Sequence, residues 1–206
     1  MENLIITVYE FSASFIPFMI TMIFLHYKHK KQEIHISKVY YGIAAVFSIY
    51  IIAVFHFTGT GTLYDGFLYE LELKQEQLNF VPFSNDIDIT AYLQNILLFV
   101  PFGFLIPLIH KQKINIIYIL TNGFLFSVLI ETSQLLNNRR TDIDDLILNT
   151  LGAFIGFILY KLFIRITKFK YKTSFYIEPY IFIAIIFISR FLLFNEIGIA
   201  KLLYKF

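Results

Sequence analysis

Seven polar side chains of this chain have types and spacings that could hold a ligand: Asn95, Glu131, Gln134, Arg139, Asp142, Asp145 and Asn149. Glu131 and Gln134 are three residues apart, so on a helix they share a face. Asp142, Asp145 and Asn149 are separated by three and four residues and share another. Arg139 stands in the short gap between these two sets. A guanidinium at a membrane surface grips a phosphate or carboxylate through two parallel hydrogen bonds. Asp and Asn oxygens suit Mg²⁺ or Ca²⁺ better than transition metals. The group could therefore bind an anionic head group, or a divalent cation together with a phosphate. No cofactor is firmly implied, and no residue is assigned as catalytic or as a metal ligand. The chain has no Ser–His–Asp arrangement, no His-Glu-x-x-His and no phosphate-cradling glycine loop.

Structural roles compete for the same residues. Thr141 followed by Asp144 has the spacing of a capping box and places a helix start there. Carboxylates in a first turn are favoured by the helix dipole, and Asp144 is the better candidate for a plain cap. Arg139 and Arg140 could simply neutralise nearby acids. Asn95 could hydrogen-bond a neighbouring helix.

The elements that must position these residues are apolar helices. Of the 206 residues, 57% are hydrophobic and 16% charged, against ~45–50% and ~25% in soluble domains. Lipid can accept such a composition. The net charge of +2 is too small to suggest a nucleic-acid partner. The absence of cysteine excludes disulfides, thiolate metal sites and thiol nucleophiles. A bilayer core needs about 20 residues of helix, and six segments qualify, at roughly 4–27, 38–58, 90–110, 114–136, 145–165 and 175–194. The expected fold is all-α, a polytopic membrane bundle of about six helices in one domain. The start MENLIITVYE lacks the basic region of a cleavable signal, so the first span is expected to be retained.

Basic residues set the orientation. Eleven of the 17 fall in 28–38, 110–113 and 161–172, which are assigned to the cytoplasm. The loop 59–89 is then external, and its mixture of acids with Phe, Leu and Tyr suits an element lying on the outer surface or folded over the bundle. Glu131 lies roughly 8 Å below the outer surface, and a carboxyl at that depth needs a partner. Gln134, Asn95, Asn149, Glu10, His56 and Arg190 share its half of the bundle, which argues for a polar pocket open to the outer face. His56 and Arg190 read more simply as interfacial anchors. Pro101 and Pro107 are expected to kink the third span beside Asn95. Gly152 and Gly156 form a helix-packing GxxxG that turns the Asn149 face into the bundle.

Three pieces, LNFVPF at 78–83, NILLFVPFGFLIP at 95–107 and ETSQLL…RRTDIDDLILNTLGAFIG from Glu131, resemble the VanZ-like family of bacterial membrane proteins. The resemblance covers about 78–160, with the helices of 4–58 and 175–194 outside it. It falls on Asn95, Pro101, Gly103, Glu131, Gln134, Arg139, Asp142, Asp145, Asn149, Gly152 and Gly156. Where many members have Gly before the Arg, this chain has Asn138. The founding member is associated with resistance to glycopeptide antibiotics such as teicoplanin. The resemblance implies a bacterial membrane protein; the placement of basic residues puts its polar cluster on the extracytoplasmic side, and the clustering of polar residues at one depth motivates an envelope ligand. The protein would contact membrane lipids and a lipid-linked cell-wall precursor or a lipoglycopeptide. Arg139 would contact the anion, Glu131, Asp142 and Asp145 would position a cation or tune the pocket, and the amides would supply hydrogen bonds. A metal-assisted enzyme acting on a lipid-linked phosphate, and a purely structural membrane partner, are the alternative readings.

Overall fold

The computed structural model describes residues 2–69, 77–84, 88–110, 114–169, 175 and 177–194. It is all-α apart from one pair of two-residue strands. The helices are α1 (Glu2–Lys31), α2 (Lys38–Thr58), α3 (Leu63–Leu68), α4 (Ile89–His110), α5 (Ile116–Gln134), α6 (Ile143–Thr167) and α7 (Glu178–Leu193). A 3₁₀ turn, Leu135–Asn137, extends α5. Among the described residues, α1, α2, α4, α5 and α6 are long and apolar enough to cross a membrane. The sixth expected span is present as α7, whose 16 residues make about 24 Å of helix.

Two groups of helices pack together. α4, α5 and α6 form one, α1, α2 and α7 the other, and α4 touches both α2 and α7. Phe55 of α2 sits at the junction, its ring centroid 5.8 Å from that of Phe126 on α5 and 5.6 Å from that of Phe187 on α7. The α4–α6 contact is backbone to backbone. A Cβ on Gly152 would collide with the Ile96 carbonyl, one on Gly156 with that of Val100, and one on Gly103 with that of Ala153. Lipid offers helices no hydrophobic reason to associate, so small residues that allow this close approach carry the packing.

Side-chain pairs establish that successive long helices alternate in direction. Glu10 near the start of α1 meets Arg190 near the end of α7 and His56 near the end of α2. At the other end of the bundle, His29 pairs with Glu178 at 3.0 Å, and the Tyr40 hydroxyl donates to the same carboxylate. One end therefore gathers the starts of α1, α4 and α6 with the ends of α2, α5 and α7.

The loop after α2 folds over this end. Gly59 closes α2 in the left-handed region, and a Thr62–Asp65 capping box starts α3. α3 packs on the 3₁₀ turn and on α7. Strand β1 (Leu78–Asn79) then pairs in parallel with β2 (Thr141–Asp142), Leu78 opposite Thr141 and Asn79 opposite Asp142. The stretches 70–76 and 85–87 of this loop lie outside the described residues.

A candidate polar cavity at one end of the bundle

The turn between α5 and α6 positions the site by capping a third helix. The last carbonyls of a helix have no partner within it. At the end of α2 these are met by side chains from the turn. Gln134 Nε2 and Arg139 Nη1 donate to the Thr58 carbonyl at 2.6 and 2.5 Å, and Asn137 Nδ2 donates to that of Gly59 at 2.6 Å. Gly59 has φ +60°, and a Cβ there would land on the Arg139 guanidinium. Asn138 adopts φ +59°, in the left-handed region that Asn tolerates better than most residues other than Gly. Its Oδ1 accepts from Gln77 Nε2 at 2.5 Å, tying the loop after α2 to the turn.

Beneath this turn lies a cavity of about 590 Å³ between the ends of α2 and α5 and the starts of α4 and α6. Six of the seven expected residues line it: Asn95, Glu131, Gln134, Arg139, Asp145 and Asn149. Asn95 Nδ2 donates to Asp145 Oδ1 across the α4–α6 contact. Asn149 Nδ2 donates to Ser127 Oγ at 2.9 Å. Glu131 and Asn149 are each only 3% exposed. Glu131 Oε2 and Asn149 Oδ1 nevertheless find no hydrogen-bond partner among the described residues. Two buried acceptors of this kind are costly to leave unmet. Hydroxyl, amide, ammonium or water hydrogens could meet them, while Arg139 offers the positive charge. Phe57 and Leu97 at the margin are 74% and 65% exposed, so the cavity borders the apolar outer surface between α2 and α4. Pro101, inside an otherwise continuous α4, supplies no N–H to the Leu97 carbonyl one turn earlier.

Asp142 is the expected residue that the cavity lining does not include. It is the N-cap of α6, its Oδ1 accepting from the Asp144 amide at 3.0 Å and its Oδ2 from Asn79 Nδ2 at 3.0 Å. Its backbone is extended, φ −120° and ψ 133°, so the helical spacing that would align it with Asp145 does not apply. The cap expected at Thr141 is corrected accordingly: Thr141 lies in β2 and donates its hydroxyl to the Glu131 carbonyl at 3.1 Å. Asp144, expected to be a plain cap, is buried and accepts from the Phe83 amide at 2.8 Å and the Tyr92 hydroxyl at 2.7 Å. It fastens the loop between α3 and α4, and α4 itself, to the start of α6.

A second polar group adjoins the first. Arg190 Nε donates to Glu10 Oε1 at 2.8 Å, Arg190 Nη1 donates to the Thr60 carbonyl, and His56 Nδ1 lies 2.6 Å from Glu10 Oε2. Arg190 and Glu10 are both buried, so the anchoring role expected of Arg190 gives way to an ion pair between α1 and α7. These residues line a cavity of about 400 Å³, and Arg139 lines this one too. Sequence reasoning missed Ser127, although it lies four residues before Glu131 on the same helical face.

The sequence model of the VanZ/LLP1 family matches residues 47–164, more than half of the chain. The chain belongs to the VanZ/LLP1 family. The match begins within α2 and runs to the last turn of α6, so it takes in all six cavity residues. The chain is similar to Protein VanZ of Enterococcus faecium, with 32% identity over 89 residues, 43% of this chain and 55% of that protein. It thus spans about half the length of that curated relative. No solved structure matches. With its long apolar helices, this member of the VanZ/LLP1 family is a multi-pass membrane protein.

Proposed function

We propose that the cavity under the α5–α6 turn binds a lipid-linked, anionic component of the bacterial cell envelope, with the cavity on the extracytoplasmic side. The observation that carries this reading is the pair of buried, unpartnered acceptors, Glu131 Oε2 and Asn149 Oδ1, in a cavity bordered by exposed Phe57 and Leu97. The acceptors favour a head group rich in hydroxyl or amide hydrogens. The apolar margin favours a ligand carried in lipid, and Arg139 favours a phosphate or carboxylate on it. Basic residues concentrated at the opposite end of the helices support the orientation. The resemblance to VanZ-like proteins, whose founding member is associated with glycopeptide resistance, extends the proposal to a role in such resistance.

The decisive measurement is binding of a polyprenyl-diphosphate-linked sugar to the full chain in nanodiscs. Glu131→Gln, Asn149→Ala and Arg139→Ala should each weaken binding at least tenfold while the protein unfolds cooperatively. Binding unchanged in all three would refute the reading. The absence of native cysteine gives a clean background for orientation: Asn138→Cys should react with a membrane-impermeant maleimide on intact cells.

A further inference from the structure

A second binding site lies outside the family match and stands independently of the function proposed above. Between α1 and α2 runs an apolar cleft of about 440 Å³, walled by residues that include Phe18, Met22 and Ala45. Phe18 and Met22 are buried, while Met19, Ile23 and Tyr27 at its edge are exposed. The cleft reaches His26 and Tyr41, which also line a neighbouring cavity of about 380 Å³. His26 Nδ1 and the Tyr41 hydroxyl, hydrogen-bonded at 2.6 Å, form the neck between the two.

Beyond the neck the chemistry changes. The second cavity is lined by Lys30 and His35, with Glu33 its one acid. Lys28 and Lys31 flank it in the last turn of α1, and Lys38 begins α2. Ile36, also in its wall, immediately precedes Ser37, the N-cap of α2. A helix start offers backbone N–H groups and the positive end of the dipole to an anion. Apolar surface thus leads directly into a cationic pocket at the end of the bundle.

We infer that these joined cavities bind an anionic phospholipid, with an acyl chain in the α1–α2 cleft and the phosphodiester at Lys30, His26 and His35. Charge complementarity selects the occupant. A zwitterionic lipid would bring an ammonium group against Lys30, whereas the head group of phosphatidylglycerol brings none.

The test uses the full chain in detergent, titrated with phosphatidylglycerol or phosphatidylcholine of matched acyl chains and read by native mass spectrometry. The first phosphatidylglycerol should bind several-fold more tightly. Lys30→Ala with His35→Ala should remove that preference, a lysine near a membrane surface alone being worth about fivefold. Ala45→Trp, which fills the cleft, should weaken both lipids, and glycerol phosphate alone should not compete. Equal binding of the two lipids, a preference untouched by the Lys30/His35 double variant, or full competition by glycerol phosphate would each overturn the inference. Lys30 and His35 are exposed, so that variant decides the question alone if Ala45→Trp fails to fold.

Discussion

Replacing Gly152 by Ala adds one methyl at the point where α6 lies on α4. The new carbon would collide with the Ile96 carbonyl, with the Phe99 Cβ 3.0 Å away on the same helix. A carbonyl within a helix cannot swing aside as a long side chain can, so the two helices must separate. Overpacking of this kind costs about 1–3 kcal/mol. Gly156→Ala meets the Val100 carbonyl one turn further along and should behave alike. Gly42 provides the control, because nothing lies within 4 Å of a Cβ there. Gly42→Ala gains helix propensity, up to ~1 kcal/mol. That gain is common to both helices, so the same chemical change should differ between the two places by the overpacking cost, about 1–3 kcal/mol. Gly123→Ala lies between them, meeting a side-chain methyl of Ala153 at 2.8 Å.

The assay is unfolding in mixed micelles titrated with sodium dodecyl sulfate, followed by helical circular dichroism. Gly152→Ala and Gly156→Ala should shift the midpoint to lower detergent fraction, and Gly42→Ala should leave it unchanged or raise it. The same separation would loosen the Asn95–Asp145 bond that bridges α4 and α6. If Gly152→Ala and Gly156→Ala both unfold at the parent midpoint, the backbone contact is wrong. The alignment of Asn95 with Asp145 then loses its support as well.

Three further outcomes follow from named contacts. Asp142→Ala removes the N-cap of α6 and the acceptor for Asn79, and should cost about 1 kcal/mol or more, whereas Asp142→Asn keeps one of the two accepting oxygens and should cost less; unfolding midpoints of the two variants decide. Glu10→Gln leaves the Arg190 charge buried without its carboxylate and should destabilise by about 3–5 kcal/mol, with Glu10→Leu/Arg190→Met recovering most of the loss; a double variant no better than Glu10→Gln would contradict the pairing. Gly59→Ala, at φ +60° and in the place of the Arg139 guanidinium, should cost about 1 kcal/mol or more. It should also weaken ligand binding as Arg139→Ala does, measured in the same nanodisc titration.

The helices were legible because length and apolarity alone decide them: each of the six expected spans corresponds to a helix, with ends displaced by a few residues. Level along the bundle was legible too, since counting turns from a helix end ranks together Glu131, Asn95 and Asn149, which line one cavity. What spacing could not supply was azimuth between helices and the part played by backbone. Glu10, His56 and Arg190 were placed at a common depth, but nothing in their spacing said that they touch. Gln134 and Arg139 spend hydrogen bonds on the Thr58 carbonyl, an acceptor present at every residue and therefore invisible as a signal. The exchange of roles between Asp142 and Asp144 has the same origin. A periodicity argument assumes that the helix has begun, and here it begins one residue after Asp142, with an extended backbone held by Asn79 and β1. Asn79 lies in the LNFVPF piece, which as a string suggested kinship and not a role. In the fold that piece is the clamp: Asn79 holds Asp142, and the Phe83 amide holds Asp144. The loop between α3 and α4 thereby fixes where α6 starts, and so fixes the face on which Asp145 and Asn149 meet Asn95 and Ser127. The cavity is thus set by the loop as much as by the helices.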